Sequence, residues 1–310
     1  MNRRPAAPQP LRVAPEVRAA LDTRRPVVAL ESTLVTHGFA RPANREAALA
    51  AEAAVRERGA VPATIAVRDG ELVVGLTADE LAELARADGA IKASRGTLAA
   101  ALETGGWAGT TVSATMIGAQ LSGIRVFATG GIGGVHRRGA QSLDISADLE
   151  ELARTQLLVV CAGPKSILDI GLTLEYLETR GVPVVGWQTR ELAGFYSRGS
   201  GRSLSASVAD AAEAARLATT HWALGLGTAV LVCVPVPAEA ALPMEEADHA
   251  IATAIADSEA AGVHGPAATP FILGRVAELT SGRSVAANMA LIENNARVAA
   301  DIATALAGDA

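Results

Sequence analysis

Of the 27 basic side chains in this 310-residue chain, only Lys92 and Lys165 are lysines; the other 25 are arginines. Ordinary proteins use lysine freely, so a bias this strong has replaced lysine wherever arginine serves as well. On a solvated surface it does. The two part company where an amine must lose its proton and attack carbon, because a guanidinium stays protonated. The two surviving lysines are therefore candidates for nucleophilic chemistry. Lys92 follows Gly89-Ala90-Ile91, and Lys165 follows the apolar run Leu157 to Pro164. Each stands where a predicted buried strand runs out into a loop, the place where ligands collect in open α/β sheets. Chance survival on the surface is the alternative for either one alone.

Four further segments could carry chemistry. Glu31 ends the first predicted strand, in Leu30-Glu31-Ser32-Thr33, with His37-Gly38 beyond it. Burial of a carboxylate raises its pKa toward working pH and suits it to general acid–base work; pairing with an arginine is the other reading. Thr129 to His136 is a loop with four glycines, whose N–H groups could hold a phosphate, with His136-Arg137-Arg138 adding positive charge. It misses the dinucleotide fingerprint, since His136 stands where glycine or alanine is required. In Asp144-Ile145-Ser146-Ala147-Asp148, Ser146 is expected to cap a helix and leave Asp144 before it. Asp144 could then bind a hard cation whose other positions are filled by water; simple capping is the alternative. Asn288, on an alanine-rich helix, needs hydrogen-bond partners, either a ligand or a neighbouring loop. No Gly-x-Ser-x-Gly elbow, Walker loop or His-Glu-x-x-His motif is present.

The elements that must position these groups alternate strand and helix. Helices are predicted at Pro15–Arg24, Asn44–Gly59, Thr77–Asp88, Thr111–Leu121, Ser146–Thr155, Ser166–Arg180 and Val208–His221. Three more close the chain, near Met244–Ala261, Phe271–Thr280 and Val285–Leu306. Strands are predicted at Pro26–Glu31, Ala63–Val67, Glu71–Val74, Ile124–Ala128, Leu157–Cys161, Val182–Trp187 and Ala229–Val234. Asp69-Gly70 marks one hairpin. The pattern predicts an α/β fold, a three-layer α/β/α sandwich with a mostly parallel, mixed central sheet. Residues 1–14 read as a flexible N-terminal tail and 15–310 as a single domain.

Composition narrows the function classes. A net charge of −6 without a long basic block argues against nucleic acid as the main partner. Aromatics make up 3% of the chain, so the core must be aliphatic. Cys161 and Cys233 lie in apolar runs and read as buried thiols, not a disulfide or metal cluster. With no secretory signal at the start and no apolar run long enough to span a bilayer, no membrane partner is expected and a cytoplasmic protein is.

Taken in order, the segments resemble the pseudouridine-5′-phosphate glycosidase, or indigoidine synthase A, family. The carriers are Leu30-Glu31-Ser32-Thr33 with His37-Gly38, Val61 to Ala66, Gly109 to Val112 with Ala114-Thr115-Met116, Thr129 to His136, Asp144 to Leu149, Lys165 to Asp169, Thr269-Pro270-Phe271 and Ala287-Asn288. They span about Val27 to Ile302. Two departures are Pro164, where a smaller residue is expected, and Arg95-Gly96-Thr97, which lacks a more charged run after Lys92.

The resemblance implies reversible cleavage of the C–C glycosidic bond of pseudouridine 5′-phosphate to uracil and ribose 5-phosphate. It implies one Mn2+ per subunit, held by Asp144, and a homotrimer. Lys165 resembles the nucleophile and Glu31 the proton donor; Asp148 is expected to shuttle protons. Lys92, Val112, Thr129, His136, Ser146, Ala147, Asp148 and Asn288 resemble substrate-binding positions. The chemistry suits a lysine: a carbanion is a poor leaving group, and an imine between an amine and the opened ribose allows the electron flow that breaks the C–C bond as C5 is protonated. Because a free lysine titrates near about 10.4, the amine needs burial or a neighbouring cation, such as Lys92, to be neutral. Rival readings are another imine-forming sugar-phosphate lyase or aldolase and a noncatalytic sugar-phosphate sensor.

Overall fold

The computed structural model describes residues 10–137, 139–263 and 268–308. In chain order its elements are β1 (Leu11–Val13), α1 (Pro15–Asp22), β2 (Val27–Leu30), a π-helical turn (Leu34–Gly38), α2 (Ala43–Glu57), β3 (Val61–Arg68), β4 (Glu71–Val74), α3 (Ala78–Arg86), β5 (Ile91–Ala93), α4 (Leu98–Thr104), β6 (Trp107–Thr110), α5 (Val112–Ser122) and β7 (Val126–Ala128). There follow α6 (Gly139–Ser142), α7 (Ala147–Leu152), β8 (Leu158–Cys161), α8 (Ile170–Thr179), β9 (Val184–Trp187), β10 (Ala206–Val208), α9 (Ala211–Ala223), β11 (Val230–Cys233), α10 (Met244–Ala260), α11 (Ala268–Leu279) and α12 (Arg283–Gly308).

The strands form one sheet in the order β1-β4-β3-β2-β7-β8-β11-β9-β10, with β6 also on β3 and β5 on β6. Its centre, β3-β2-β7-β8-β11-β9-β10, is parallel throughout. Alternation along each strand divides the core between two faces. Val28, Leu30, Val126, Leu158, Val160, Val230 and Val232 pack with α2, α9, α10, α11 and α12. Ala29, Phe127, Val159, Cys161, Leu231 and Cys233 pack on the other side with α1, α4, α5 and α7. The result is the α/β/α sandwich the pattern predicts.

At β3 the sheet changes character. Val61–Thr64 runs parallel to β2, whereas the second half pairs antiparallel with both β4 and β6. Asp69 and Gly70, both with positive φ, turn β3 into β4. Thr77 and Glu80 form a full capping box at the start of α3, as the local sequence predicts.

Several expectations need correction. The tail is shorter than 14 residues, because Leu11–Val13 forms β1, parallel to β4. Residues 1–9 and Arg138, expected to add charge to the glycine loop, lie outside the described residues. A three-residue strand has too little pattern to be read, but it satisfies backbone groups that β4 would otherwise leave unpaired. The short strands β6 and β10 are likewise absent from the sequence reading, and the strand expected before Lys92 extends through it to Ala93. Lys92 accordingly lies inside β5, not beyond it. The helix expected from Ser166 starts only at Ile170, because Asp169 caps it by accepting the Leu172 amide; Ser166–Asp169 is left as loop after Lys165. Likewise Asp210 caps α9 and excludes Val208 from it. Cys161 and Cys233 face each other in register and are fully buried. The Cys233 thiol is held well above its ordinary value, first by its hydrogen bond with Cys161 and then by burial, so both read as inert core thiols.

Candidate active site

The C-terminal ends of β2, β7 and β8 converge on a cavity of about 440 Å³. Glu31 and Lys165 enter it from the loops after β2 and β8; Lys92 enters from β5. Val112, His136, Asp144, Ser146, Ala147, Asp148 and Asn288 also line it. Every substrate, catalytic or metal position singled out in the sequence reaches this cavity except Thr129.

Thr129 is buried beneath the cavity. Its hydroxyl donates to Glu31 Oε1, and the Thr33 hydroxyl donates to Oε2. Thr129 therefore holds Glu31 and does not line the substrate space. Its own carbonyl accepts from Asn295 Nδ2 at 2.9 Å, which ties the strand end to α12. Both carboxyl oxygens of Glu31 are thus fixed, with the residue only 5% exposed.

The glycine loop departs from its expected use. Few of its amides are free for a phosphate: the amides of Thr129, Ile132, Val135 and His136 go to Val160 O, Gly163 O, Thr173 Oγ1 and Asp144 O. The Gly133 amide donates to Asp148 Oδ2 at 2.9 Å. The glycines are needed for close approach instead. A Cβ on Gly133 would lie 2.2 Å from Ser146 Oγ and 2.7 Å from Asp148 Oδ2; one on Gly134 would lie 2.4 Å from Thr173 Oγ1. The loop is a clamp for the start of α7. Ser146 caps that helix by accepting the Asp148 amide at 3.2 Å. The Asp148 carboxylate accepts the Ser113 amide on Oδ1 at 2.9 Å and is nearly buried. With both oxygens on backbone amides, the Asp148 carboxyl group is held in place, a geometry that argues against the expected proton shuttling.

Docking of β5 and β6 brings Lys92 to this wall. The Ser32 hydroxyl donates to Ile65 O at 2.6 Å and accepts the Thr110 amide at 2.9 Å. A Cβ on Gly109 would lie 2.2 Å from Thr36 Oγ1, so only glycine lets β6 come this close. Lys92 is the register partner of Gly109. Its side chain is accessible, but into the cavity, where protein displaces much of the water. Burial therefore pushes its ammonium below the ordinary lysine value, the positive charge of Lys165 adds to this, and Asp148 and Glu31 oppose it. Burial and Lys92 together also push His37 below its ordinary value. Arg95, from the departing segment Arg95-Gly96-Thr97, pairs with buried Glu151 on α7; the segment ties the Lys92 loop to the helix that carries Asp148.

Asp144 sits exposed at the rim, with Oδ2 3.8 Å from His136 Nδ1. Among the described residues no group of three or more His, Cys, Asp or Glu side chains converges. A hard cation at Asp144 would draw its other donors from water or substrate oxygens, a set that fits magnesium or manganese and not a closed protein cage. The Asn288 Oδ1 atom is buried without a hydrogen-bond partner and lies beside Gly130, open to a ligand donor. Sequence reasoning gave no role to Thr33, His37, Ser94, Thr97 or Phe195, which belong to the same site. For Phe195 a signal existed: it is one of four phenylalanines, and scarcity was the argument that singled out the lysines.

A family model described as indigoidine synthase A like protein matches residues 16–305. Curated relatives named pseudouridine-5′-phosphate glycosidase include one from Solibacter usitatus, 53% identical over 96% of this chain and 99% of its own length. Another, from Caldanaerobacter subterraneus, is 51% identical over 94% and 95%. Among solved structures, the prealnumycin C-glycosynthase AlnA in complex with ribulose 5-phosphate superposes with a TM-score of 0.90 at 42% identity, covering 98% of this chain and 99% of that one. An indigoidine synthase A-like protein from Thermotoga maritima superposes with a TM-score of 0.88 at 32% identity, covering 99% and 100%.

Proposed function

Because the chain belongs to the indigoidine synthase A-like family, we propose that it is a pseudouridine-5′-phosphate glycosidase, cleaving its substrate reversibly to uracil and ribose 5-phosphate. The observation that carries this reading is the meeting of Lys165, Lys92, Glu31 and Asp148 in one cavity. The names of the relatives supply the substrate class, and the likeness to a C-glycosynthase supports C–C chemistry that also runs toward synthesis.

In this reading the pair of electrons in the bond from ribose C1 to the ring oxygen passes to that oxygen, which takes a proton from Glu31. Lys165 Nζ bonds to C1. The nitrogen lone pair then forms the imine as the bond from C1 to uracil C5 breaks, and C5 takes a proton with that pair. Water hydrolyses the imine, releasing ribose 5-phosphate and regenerating the amine. Glu31, fixed as a double acceptor, must gain a proton before giving one; transfer from the Lys165 ammonium would arm both groups at once. Lys92 serves as the cation for the substrate phosphate and keeps a second positive charge near Lys165. Asp148 balances the lysines electrostatically.

Asp144, with His136 beside it, would hold the single Mn2+ of each subunit, where a divalent ion supplies charge neutralisation and orientation of substrate oxygens. The family resemblance also supports a homotrimer, which light scattering tests against the 31.5 kDa chain. None of the helices described is long and apolar enough to cross a membrane, in keeping with a cytoplasmic enzyme.

The test is release of uracil from pseudouridine 5′-phosphate with and without EDTA, joined to borohydride trapping and mass mapping. An adduct on Lys165 is expected. Sugar-phosphate cleavage without uracil release would favour an aldolase, and an adduct on Lys92 would reverse the assignment of the two lysines.

A further inference from the structure

Phe195 adopts φ +66°, a left-handed conformation that a bulky side chain rarely takes. Backbone strain of this kind persists only where the surroundings enforce it, and it gathers at functional sites. The ring edge Cδ2–Cε2 abuts Gly131 so closely that a Cβ there would lie 2.6 Å from Cε2. The same Cβ position lies 3.0 Å from the carbonyl oxygen of Gly163, two residues before Lys165. Gly163 itself has φ +86°, and its Cβ position is closed by Ala193 O. The turn through Phe195 is thus pressed against both loops that frame the cavity, and Phe195, though only 2% exposed, is one of the residues that line it.

The neighbours of the ring define which part of the substrate it meets. Gly130, next to Gly131, lies against Ile292 and Asn288 Oδ1, and Glu31 is held by Thr129, one residue earlier. Around the ring the lining joins apolar surface, one buried unpartnered acceptor and a carboxylate. Lys92, with Ser94 and Thr97 along the following loop, adds polar, cationic lining suited to an anion. A flat heterocycle with ring N–H groups fits the lining beside Phe195: its faces need apolar contact and its N–H needs the orphaned Asn288 oxygen.

We propose that Phe195 is a substrate-contacting, specificity-determining residue, its ring forming the apolar wall of the subsite that holds the pyrimidine base. The assignment rests on the reaction proposed above. Its test is steady-state kinetics in the synthetic direction, with uracil and ribose 5-phosphate varied in turn, for wild type, Phe195→Leu and the volume-conserving Phe195→Met, each checked by thermal melting. The expected result is a rise of at least tenfold in KM for uracil, with KM for ribose 5-phosphate within twofold of wild type. Methionine guards against a leucine variant that does not fold. Equal rises in both KM values would show a general disturbance of the cavity and overturn the assignment, as would unchanged values for both substrates. Wild-type protein that makes no pseudouridine 5′-phosphate would fail before any substitution is compared; that outcome removes the proposed reaction and this assignment together.

Discussion

The two walls of the cavity are built by different rules. Lys165 and Glu31 stand on loops after β8 and β2, four-residue strands buried along their whole length in the parallel centre of the sheet. Lys92 stands on β5, three residues long, which reaches the sheet only through β6 and the second half of β3. The first wall is anchored by the main core. The second is hung on an annex, and its placement depends on the Ser32 hydrogen bonds and on the missing side chain of Gly109. The proposed nucleophile thereby stands on the core-anchored side, and the lysine proposed to hold the substrate anion on the annex.

Lys165→Arg breaks the comparison most sharply. It keeps the charge on the core-anchored wall and removes the only side chain there able to form an imine, so turnover is expected to fall by about 10⁴-fold or more. Uracil release measures this, and melting should remain near wild type. A variant retaining a tenth of the activity would remove Lys165 from its role.

The glycines of the two walls sharpen the contrast in stability. Gly133→Ala puts a methyl into Ser146 and Asp148, and is expected to cost about 1–3 kcal/mol. Gly96→Ala, beyond Lys92, meets nothing within 4 Å and should stay within about 0.5 kcal/mol. Denaturant unfolding of the pair decides it; equal costs would mean that the glycine loop is not a clamp.

Asp148→Asn removes the anion that holds the Lys92 ammonium up. Lys92 should then lose its proton at lower pH, and the alkaline limb of the kcat/KM profile should move to lower pH. An unmoved limb would show that Lys92 ionisation does not limit activity.

The smallest effect concerns Lys92 and stability. Its folded-state pKa is lowered, chiefly by burial and then by Lys165, so the unfolded chain binds this proton more tightly. The penalty is present below the folded value and is relieved as pH rises through it toward the ordinary 10.5. Lys92→Met should therefore raise Tm near pH 7 by about 1–3 °C while impairing catalysis. The gap between variant and wild type should close at alkaline pH, and calorimetry across a pH series reads it.

Much of this was legible in the chain itself. Continuous apolar runs such as Leu157–Cys161 can only be buried strands in a sheet covered on both faces, and their alternation with helical patterns prescribes the sandwich. Scarcity of lysine marked Lys92 and Lys165, and Ser146 announced the helix whose second residue is Asp148. The contact of Thr129 with Glu31, 98 residues away, is not visible in local sequence, which also does not show which acceptors will claim the amides of the glycine loop.

Local pattern settles an element when the element's own residues carry most of its burial and capping energy. That holds for the parallel strands, the capping box of α3 and the choice of which amines survive. It fails for β1, β5 and β10, whose few residues are placed by edges and glycines elsewhere, for the strained turn at Phe195, and for the charge balance among Lys92, Lys165, Asp148 and Glu31. Those arise from groups distant in the chain sharing one poorly hydrated space, where Coulomb interactions and steric contact act across distances that sequence does not encode.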